Sequence, residues 1–388
     1  MSALKFFIVA GEHSGDALGA KLMAALTAKL ANGVTFSGVG GAEMAHQGLQ
    51  SLFPIEDVAV MGPMAILPAL PRITQRVYQT VAAALEAKPD AVIIIDSPEF
   101  THPIAKRIRK RAPGIPIIDY VSPSVWAWRP GRARKMRPYV DEILGLLPFE
   151  PEAHVRLGGP HCTYVGHPLI ERLGEIEGAD AAGLARRLKL DPAKPVLLVL
   201  PGSRRSEVGR LIGVFGETVG RLAQSGPAFE IVVPALPHVR AEIEHASAAW
   251  AVKPRIVDSA AEKYAAMRLA RAALAASGTV TLELALAGTP MVVAYKVDGL
   301  IASIRFLIKT PSVILANLIL GGNAFPEFLQ EAATAENLSK ALRPLMSDSP
   351  GRAAQVAALA RIPAKMKLPG GAAPSDAAAD AVLKVVAG

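Results

Sequence analysis

Residues 5–16 read Lys5-Phe6-Phe7-Ile8-Val9-Ala10-Gly11-Glu12-His13-Ser14-Gly15-Asp16, and the Ala-rich amphipathic segment Gly19–Leu30 follows. A near-continuous apolar run that ends in small and polar residues before a helix is how a strand buried on both faces of a parallel sheet reads. The same unit recurs along the chain. Apolar runs appear at 35–40, 91–96, 116–121, 142–147 and 164–166, then in a second series at 196–202, 230–235, 255–258, 272–277 and 291–296. Helix-length segments such as 73–87, 103–111 and 211–224 separate them. Two such series predict an α/β protein with two doubly wound, Rossmann-like domains. The division falls near Gly166-His167-Pro168, giving domains 1–168 and 169–388. The end, 351–388, reads as helical with a break at Leu368-Pro369-Gly370-Gly371, and is able to cross back to the first domain.

A chain of 388 residues suits two cores. The 51% hydrophobic content excludes disorder, and the single cysteine, Cys162, excludes a disulfide framework. Only 5% of residues are aromatic, which argues against a base-stacking nucleic-acid binder. The formal charge is +8, which favours anionic partners. Between Phe100 and Val140 ten Lys or Arg face one acid, Asp119, a band suited to solvent or to an anionic lipid surface. No signal-peptide pattern and no uncharged run of membrane-spanning length is visible, so a cytoplasmic protein is expected. Two stretches are unusually apolar: Val58–Pro71, which contains Met61, and Gly299–Lys309. Both suit either core or contact with lipid and acyl chains. Pro63, Pro68 and Pro71 argue against a regular helix through the first of them.

Ligands of open parallel sheets bind beyond the carboxyl ends of the strands, so those residues carry the chemistry. After the first strand come Gly11, Glu12, Ser14, Gly15 and Asp16, either a ligand-approach loop or a helix cap. Asp96-Ser97-Pro98-Glu99 offers two carboxylates for general-base work, or caps for the next helix. Ser122-Pro123-Ser124-Val125-Trp126-Ala127-Trp128 either walls a pocket or packs the domain edge. In the second series, Pro201-Gly202-Ser203-Arg204 is a sensible diphosphate cradle: small residues, a hydroxyl and a forked cation. Ser277-Gly278-Thr279 opens another helix, with Glu283 one turn on, placed for a ribose diol or for a capping box. No D-x-D pair or His/Cys cluster at ligand spacing is present, so no metal is predicted.

These motifs occur together and in order, along with Leu147-Pro148-Phe149-Glu150, Val165-Gly166-His167-Pro168, Pro290-Met291-Val292-Val293 and Ala316-Asn317-Leu318-Ile319-Leu320. The set resembles the lipid-A-disaccharide synthases, glycosyltransferase family 19, over essentially the whole chain. The resemblance implies the GT-B architecture, two Rossmann-like domains facing a cleft. It implies an inverting hexosyltransferase that joins UDP-2,3-diacylglucosamine to 2,3-diacylglucosamine 1-phosphate (lipid X). The product is a β(1→6) disaccharide 1-phosphate of lipid A biosynthesis, and UDP leaves. It implies no cofactor and no nucleic-acid partner, and a peripheral position on the cytoplasmic face of the inner membrane of a Gram-negative bacterium. The oligomeric state is left open, and a homodimer is compatible with the sequence. Carried onto this chain, the donor side comprises Gly202, Ser203, Arg204, Ser277, Gly278, Thr279, Glu283 and Asn317, and the acceptor side Glu12, Ser14, Gly15 and Met61. The family's favoured base, usually Asp, is here Glu99, with Asp96 as the alternative. A UDP-sugar 2-epimerase of the same two-domain layout is the rival reading.

Overall fold

The computed structural model describes residues 3–31, 33–59, 63–297 and 310–388. Met61 and the apolar stretch 299–309 lie outside them. Contacts divide the chain into two units, Met1–Pro168 with Lys367–Gly388, and Leu169–Met366.

The first unit holds six strands: β1 Leu4–Ala10, β2 Val34–Val39, β3 Ala91–Ile95, β4 Ile117–Tyr120, β5 Glu142–Gly145 and β6 His161–Tyr164. They form one parallel sheet in the order β2-β1-β3-β4-β5-β6. Side chains alternate across a strand. Phe7, Val9, Val92 and Ile94 therefore enter one core, and Phe6, Ile8, Ile93 and Ile95 enter the other. That double burial explains why these strands read as unbroken apolar runs. Gly38 on β2 tolerates no side chain, because a Cβ there would lie 1.9 Å from the Ile8 carbonyl oxygen.

Two expectations are corrected here. A helix runs from Pro63 to Ala87 with Pro68 and Pro71 inside it. Pro63 sits at its first position, where no N–H is needed. The other two each forgo one bond, and the burial of Val77, Val81 and Ala84 against the sheet outweighs that loss. β6 lies three residues earlier than the run at 164–166, because its exposed first residue, His161, hides the apolar pattern of an edge strand.

The second unit holds β7 Val196–Leu200, β8 Glu230–Pro234, β9 Pro254–Val257, β10 Ala272–Ala276, β11 Met291–Tyr295 and β12 Glu327–Leu329. All pairs are parallel, in the order β12-β11-β10-β7-β8-β9. This is the dinucleotide-fold order, with its reversal between β7 and β10. In the first sheet the reversal lies between β1 and β3. Each crevice therefore opens at the two strand ends that carry the motifs.

The helix Pro374–Ala387 belongs to the first unit. Its Ala378, Ala379 and Val382 are fully buried in the core that also takes Leu22, Met23 and Leu26 of the helix His13–Lys29. Lys29 and Asp380 pair across these helices at 2.8 Å.

Candidate active site

The second-unit site is a cavity of about 560 Å³, inside the usual range for small-ligand pockets. Gly202, Ser203, Arg204, Ser277, Gly278, Thr279 and Glu283 all line it. Lys263 and Tyr295, and the ends of β8 and β9 (Pro234–Leu236, Val257–Ala260), complete the wall. Sequence reading missed these, although each follows or ends a predicted strand or lies on the helix after one.

The cradle after β7 is built differently from the expectation. Glu207 Oε2 accepts the backbone N–H of Ser203 at 3.0 Å and of Arg204 at 3.3 Å. The Glu207 stem also lies so close that a Cβ on Gly202, whose φ is +129°, would sit 2.5 Å from it. The Ser203 carbonyl is held by His238 Nε2 at 2.9 Å. The loop amides are thus partly spent internally. The Arg204 guanidinium is 62% exposed and makes one long contact, to Glu207 Oε1 at 3.4 Å, so an anion at the start of the helix Arg205–Ser225 would meet it by exchange with Glu207.

After β10, Gly278 takes φ +147°, a backbone that side-chain-bearing residues rarely adopt. Thr279 makes no capping bond with its side chain, so the capping-box alternative does not describe this turn. Glu283 Oε1 accepts from Lys263 Nζ at 2.7 Å and from the Tyr264 hydroxyl at 3.1 Å, which fixes the carboxylate at the cavity wall. Asn317 does not line the cavity. It is buried, its Nδ2 donates to the Phe325 carbonyl at 2.9 Å, and its Oδ1 accepts the Phe325 N–H at 3.0 Å. Its amide braces the 317–325 turn.

In the first unit, β1 and β3 are neighbours and Ala10 pairs with Ile95. Gly11 permits the loops beyond them to touch, since a Cβ there would lie 2.4 Å from that of Ser97. This approach brings the Glu12 and Asp96 carboxyls close enough for the charge of one to act on the other. Burial, and then the charge of Glu12, push the Asp96 carboxyl up to about 6. Ser14 Oγ donates to Glu12 Oε1. Gly15 packs against the Ile95 carbonyl. Asp16 serves the fold rather than a ligand. Its carboxylate takes the N–H groups of Gly41, Glu43 and Met44, capping the short helix Ala42–His46.

Asp96 and Ser97 have φ of +52° and +44°, and Val121, Ser124 and Arg129 beyond β4 have +88°, +39° and +51°. Non-glycine residues held this way cost about 1–3 kcal/mol each and gather at functional sites. Glu99 opens the helix Pro98–Arg111 and is 72% exposed. Its Oε1 accepts from Arg132 Nη2 at 2.6 Å and lies 3.7 Å from Arg129 Nη1. The two tryptophans differ in what they touch. Trp126 packs edge-on against Phe149, centroids 5.1 Å apart, and donates to Glu150 at 3.1 Å. Trp128 instead carries the Arg129 guanidinium 4.3 Å from its ring centre.

Among the described residues no group of three or more His, Cys, Asp or Glu is placed to hold a metal ion, and no helix is long and apolar enough to cross a membrane.

Solved structures share this fold. A UDP-GlcNAc 2-epimerase from Neisseria meningitidis bound to UDP-GlcNAc superposes with a TM-score of 0.62 at 14% identity, covering 99% of this chain and 100% of that one. The glycotransferase of kitacinnamycin gives 0.61 at 17%, covering 100% of both. At such identities the likeness concerns the fold alone, two Rossmann-like domains. Sequence relatives go further. The lipid-A-disaccharide synthase of Bradyrhizobium diazoefficiens is 54% identical over 380 residues, 98% of this chain and 96% of that protein. That of Nitrobacter hamburgensis is 53% identical over 386 residues, 99% and 96%. The family profile described as lipid-A-disaccharide synthetase matches residues 6–369. The chain belongs to the lipid-A-disaccharide synthase family, hexosyltransferases of lipid A biosynthesis.

Proposed function

We propose that this chain transfers 2,3-diacylglucosamine from UDP to the 6-hydroxyl of 2,3-diacylglucosamine 1-phosphate, with inversion at the anomeric carbon. The observation that carries the reading is the nucleotide-sized cavity at the reversal point of the second sheet, walled by Arg204, Ser277–Thr279 and Glu283. Family membership supports the sugar-nucleotide and lipid classes of substrate. In this reading the second unit holds the donor, with Glu283 on the ribose diol and Arg204 on the diphosphate. The bond from C1 to the diphosphate oxygen breaks as the acceptor oxygen attacks the opposite face. Negative charge then builds on UDP, where Arg204 and the helix start stabilise it. Glu99 takes the hydroxyl proton, because it is the exposed carboxylate of the β3 end, within reach of a substrate. Asp96, beside Glu12, holds the strained turn from which Glu99 projects.

The test is UDP release from UDP-2,3-diacylglucosamine in detergent micelles, with and without the acceptor and in EDTA. Release that needs the acceptor and survives EDTA is expected. Turnover of a soluble UDP-sugar without acceptor would replace this reading with epimerase chemistry. Arg204→Ala is expected to weaken UDP binding about 10- to 100-fold, the worth of charge-assisted bonds to a diphosphate. Calorimetric titration with UDP checks it, and an unchanged affinity would remove Arg204 from the donor site.

The same proposal places the protein peripherally on an anionic membrane. Asp119, the one acid of the basic band, is buried, and the flanking acids Glu99 and Asp141 pair with only Arg129, Arg132 and Arg109 of its ten cations, which leaves an excess of positive charge. Leu70 and Tyr78, on the helix Pro63–Ala87, expose large apolar surface. Binding to phosphatidylglycerol vesicles is expected at low salt and should fall steeply by about 0.5 M salt as screening shortens. Equal binding to neutral phosphatidylcholine vesicles would refute the charge-based docking.

A further inference from the structure

Arg129 and Arg132 converge on a single carboxylate oxygen, Glu99 Oε1, at 3.7 and 2.6 Å. Both guanidiniums lie over the Trp128 ring, 4.3 and 5.7 Å from its centre. The aromatic face holds the two like charges side by side, where their own repulsion would part them. The Arg129 backbone is bent into the left-handed region, φ +51°, to bring its side chain there. One carboxylate neutralises only one of the two charges. It also fills one acceptor position of a donor set that has five N–H groups per guanidinium. A phosphate monoester, with a charge near −2 and three terminal oxygens, is the better match for two forks. Glu99 and Arg129 are exposed, at 72% and 54%, and Arg132 is largely covered at 16%, so an entering anion displaces a solvent-facing carboxylate from guanidiniums already held in place.

The position agrees with the chemistry. Glu99 follows Asp96 by three residues, so the whole β3 end lies within about 11 Å by chain length alone. A phosphate gripped there would set the sugar that carries it beside the proposed proton acceptor. Both arginines lie against the same oxygen of Glu99, so a phosphate that drew them away would release that oxygen to a substrate hydroxyl.

We propose that Arg129 and Arg132, stacked on Trp128, form the subsite for the anomeric phosphate of the acceptor, and that Glu99 is an internal anion which phosphate displaces. Displacement hands the Glu99 carboxylate to the acceptor hydroxyl, so that binding the correct acceptor frees the base. The inference rests on the acceptor reading given above and adds to it the groups that recognise the phosphate.

The experiment measures binding of 2,3-diacylglucosamine 1-phosphate and of its dephosphorylated counterpart in detergent micelles without donor. The wild-type chain is expected to prefer the phosphorylated lipid by about 10- to 100-fold, the range for charge-assisted pairs. In the Arg129→Ala/Arg132→Ala variant the ratio is expected to fall to near one. Arg132→Lys keeps a charge but loses the fork and is expected to fall between; it serves if the double variant does not fold. A wild-type ratio near one, or a variant that keeps the full preference, overturns the subsite. Phosphate preference without acceptor-dependent UDP release would overturn the transferase reading and leave the subsite standing.

Discussion

Glu99→Gln is expected to lower turnover by about 10²- to 10⁴-fold, with UDP affinity unchanged. The substitution preserves shape and an oxygen for Arg132, and removes only the capacity to take a proton. Loss of a positioned general base costs that much, or about 3–5 kcal/mol of barrier. The change should appear in kcat with saturating acceptor, since Gln still fills the same space. Asp96→Asn is the necessary comparison. Its carboxyl, pushed up to about 6 by burial and by Glu12, titrates closer to the working pH than an ordinary aspartate. If Asp96 were the base, the rate would fall below pH about 6, and that limb would vanish in Asp96→Asn while Glu99→Gln kept near-normal turnover. That pair of results would move the assignment.

The second large effect lies under the tryptophan loop. Glu150 is only 3% exposed, with Oε2 accepting the Leu147 N–H at 2.9 Å and Oε1 accepting Trp126 Nε1 at 3.1 Å. Burial, against the help of these donors, pushes its carboxyl up to about 7 from an ordinary 4.5. An acid whose pKa is raised on folding keeps its proton longer in the native state. The unfolded chain releases that proton near 4.5, and the native one near 7. Stability from this group is therefore full below pH about 4.5 and falls as pH rises to about 7, by roughly 3 kcal/mol. Glu150→Gln cannot titrate, so the difference between wild type and variant should change by that amount between pH 5 and pH 8. Urea midpoints at both values measure it. Parallel pH dependence in the two proteins would show that Glu150 does not titrate in this window.

Much of this architecture was legible because strands buried on both faces admit little but Val, Ile, Leu, Ala and Phe. β1, β3, β7 and β10 announce themselves, and their ends hold motifs. Edges were harder. β6 begins with an exposed histidine, and β12, three residues long, has no period to detect. The helix through Pro68 and Pro71 defeated local rules because tertiary burial overrode them. Within the sites, residue type suggested phosphate, ribose and base, but partners did not follow from it. Nothing local says that Glu207 would take the Ser203 and Arg204 amides, that Lys263 would fix Glu283, or that Gly11 would let Ser97 approach. Asn317 stood in a matching segment, yet its amide is consumed by Phe325.

The return of Lys367–Gly388 to the first unit has a consequence for synthesis. The second unit is one uninterrupted segment, an insertion within the first. A ribosome delivers all of it before the residues that finish the first. Domains fold as they emerge, so the second unit can reach its native state while the other still lacks Ala378, Ala379 and Val382. Those side chains share a core with the helix that begins directly after Glu12. The half of the enzyme bearing the carboxylate pair is thus the last to mature. A nascent chain truncated before Lys367 would carry an intact second unit attached to an unsealed first one.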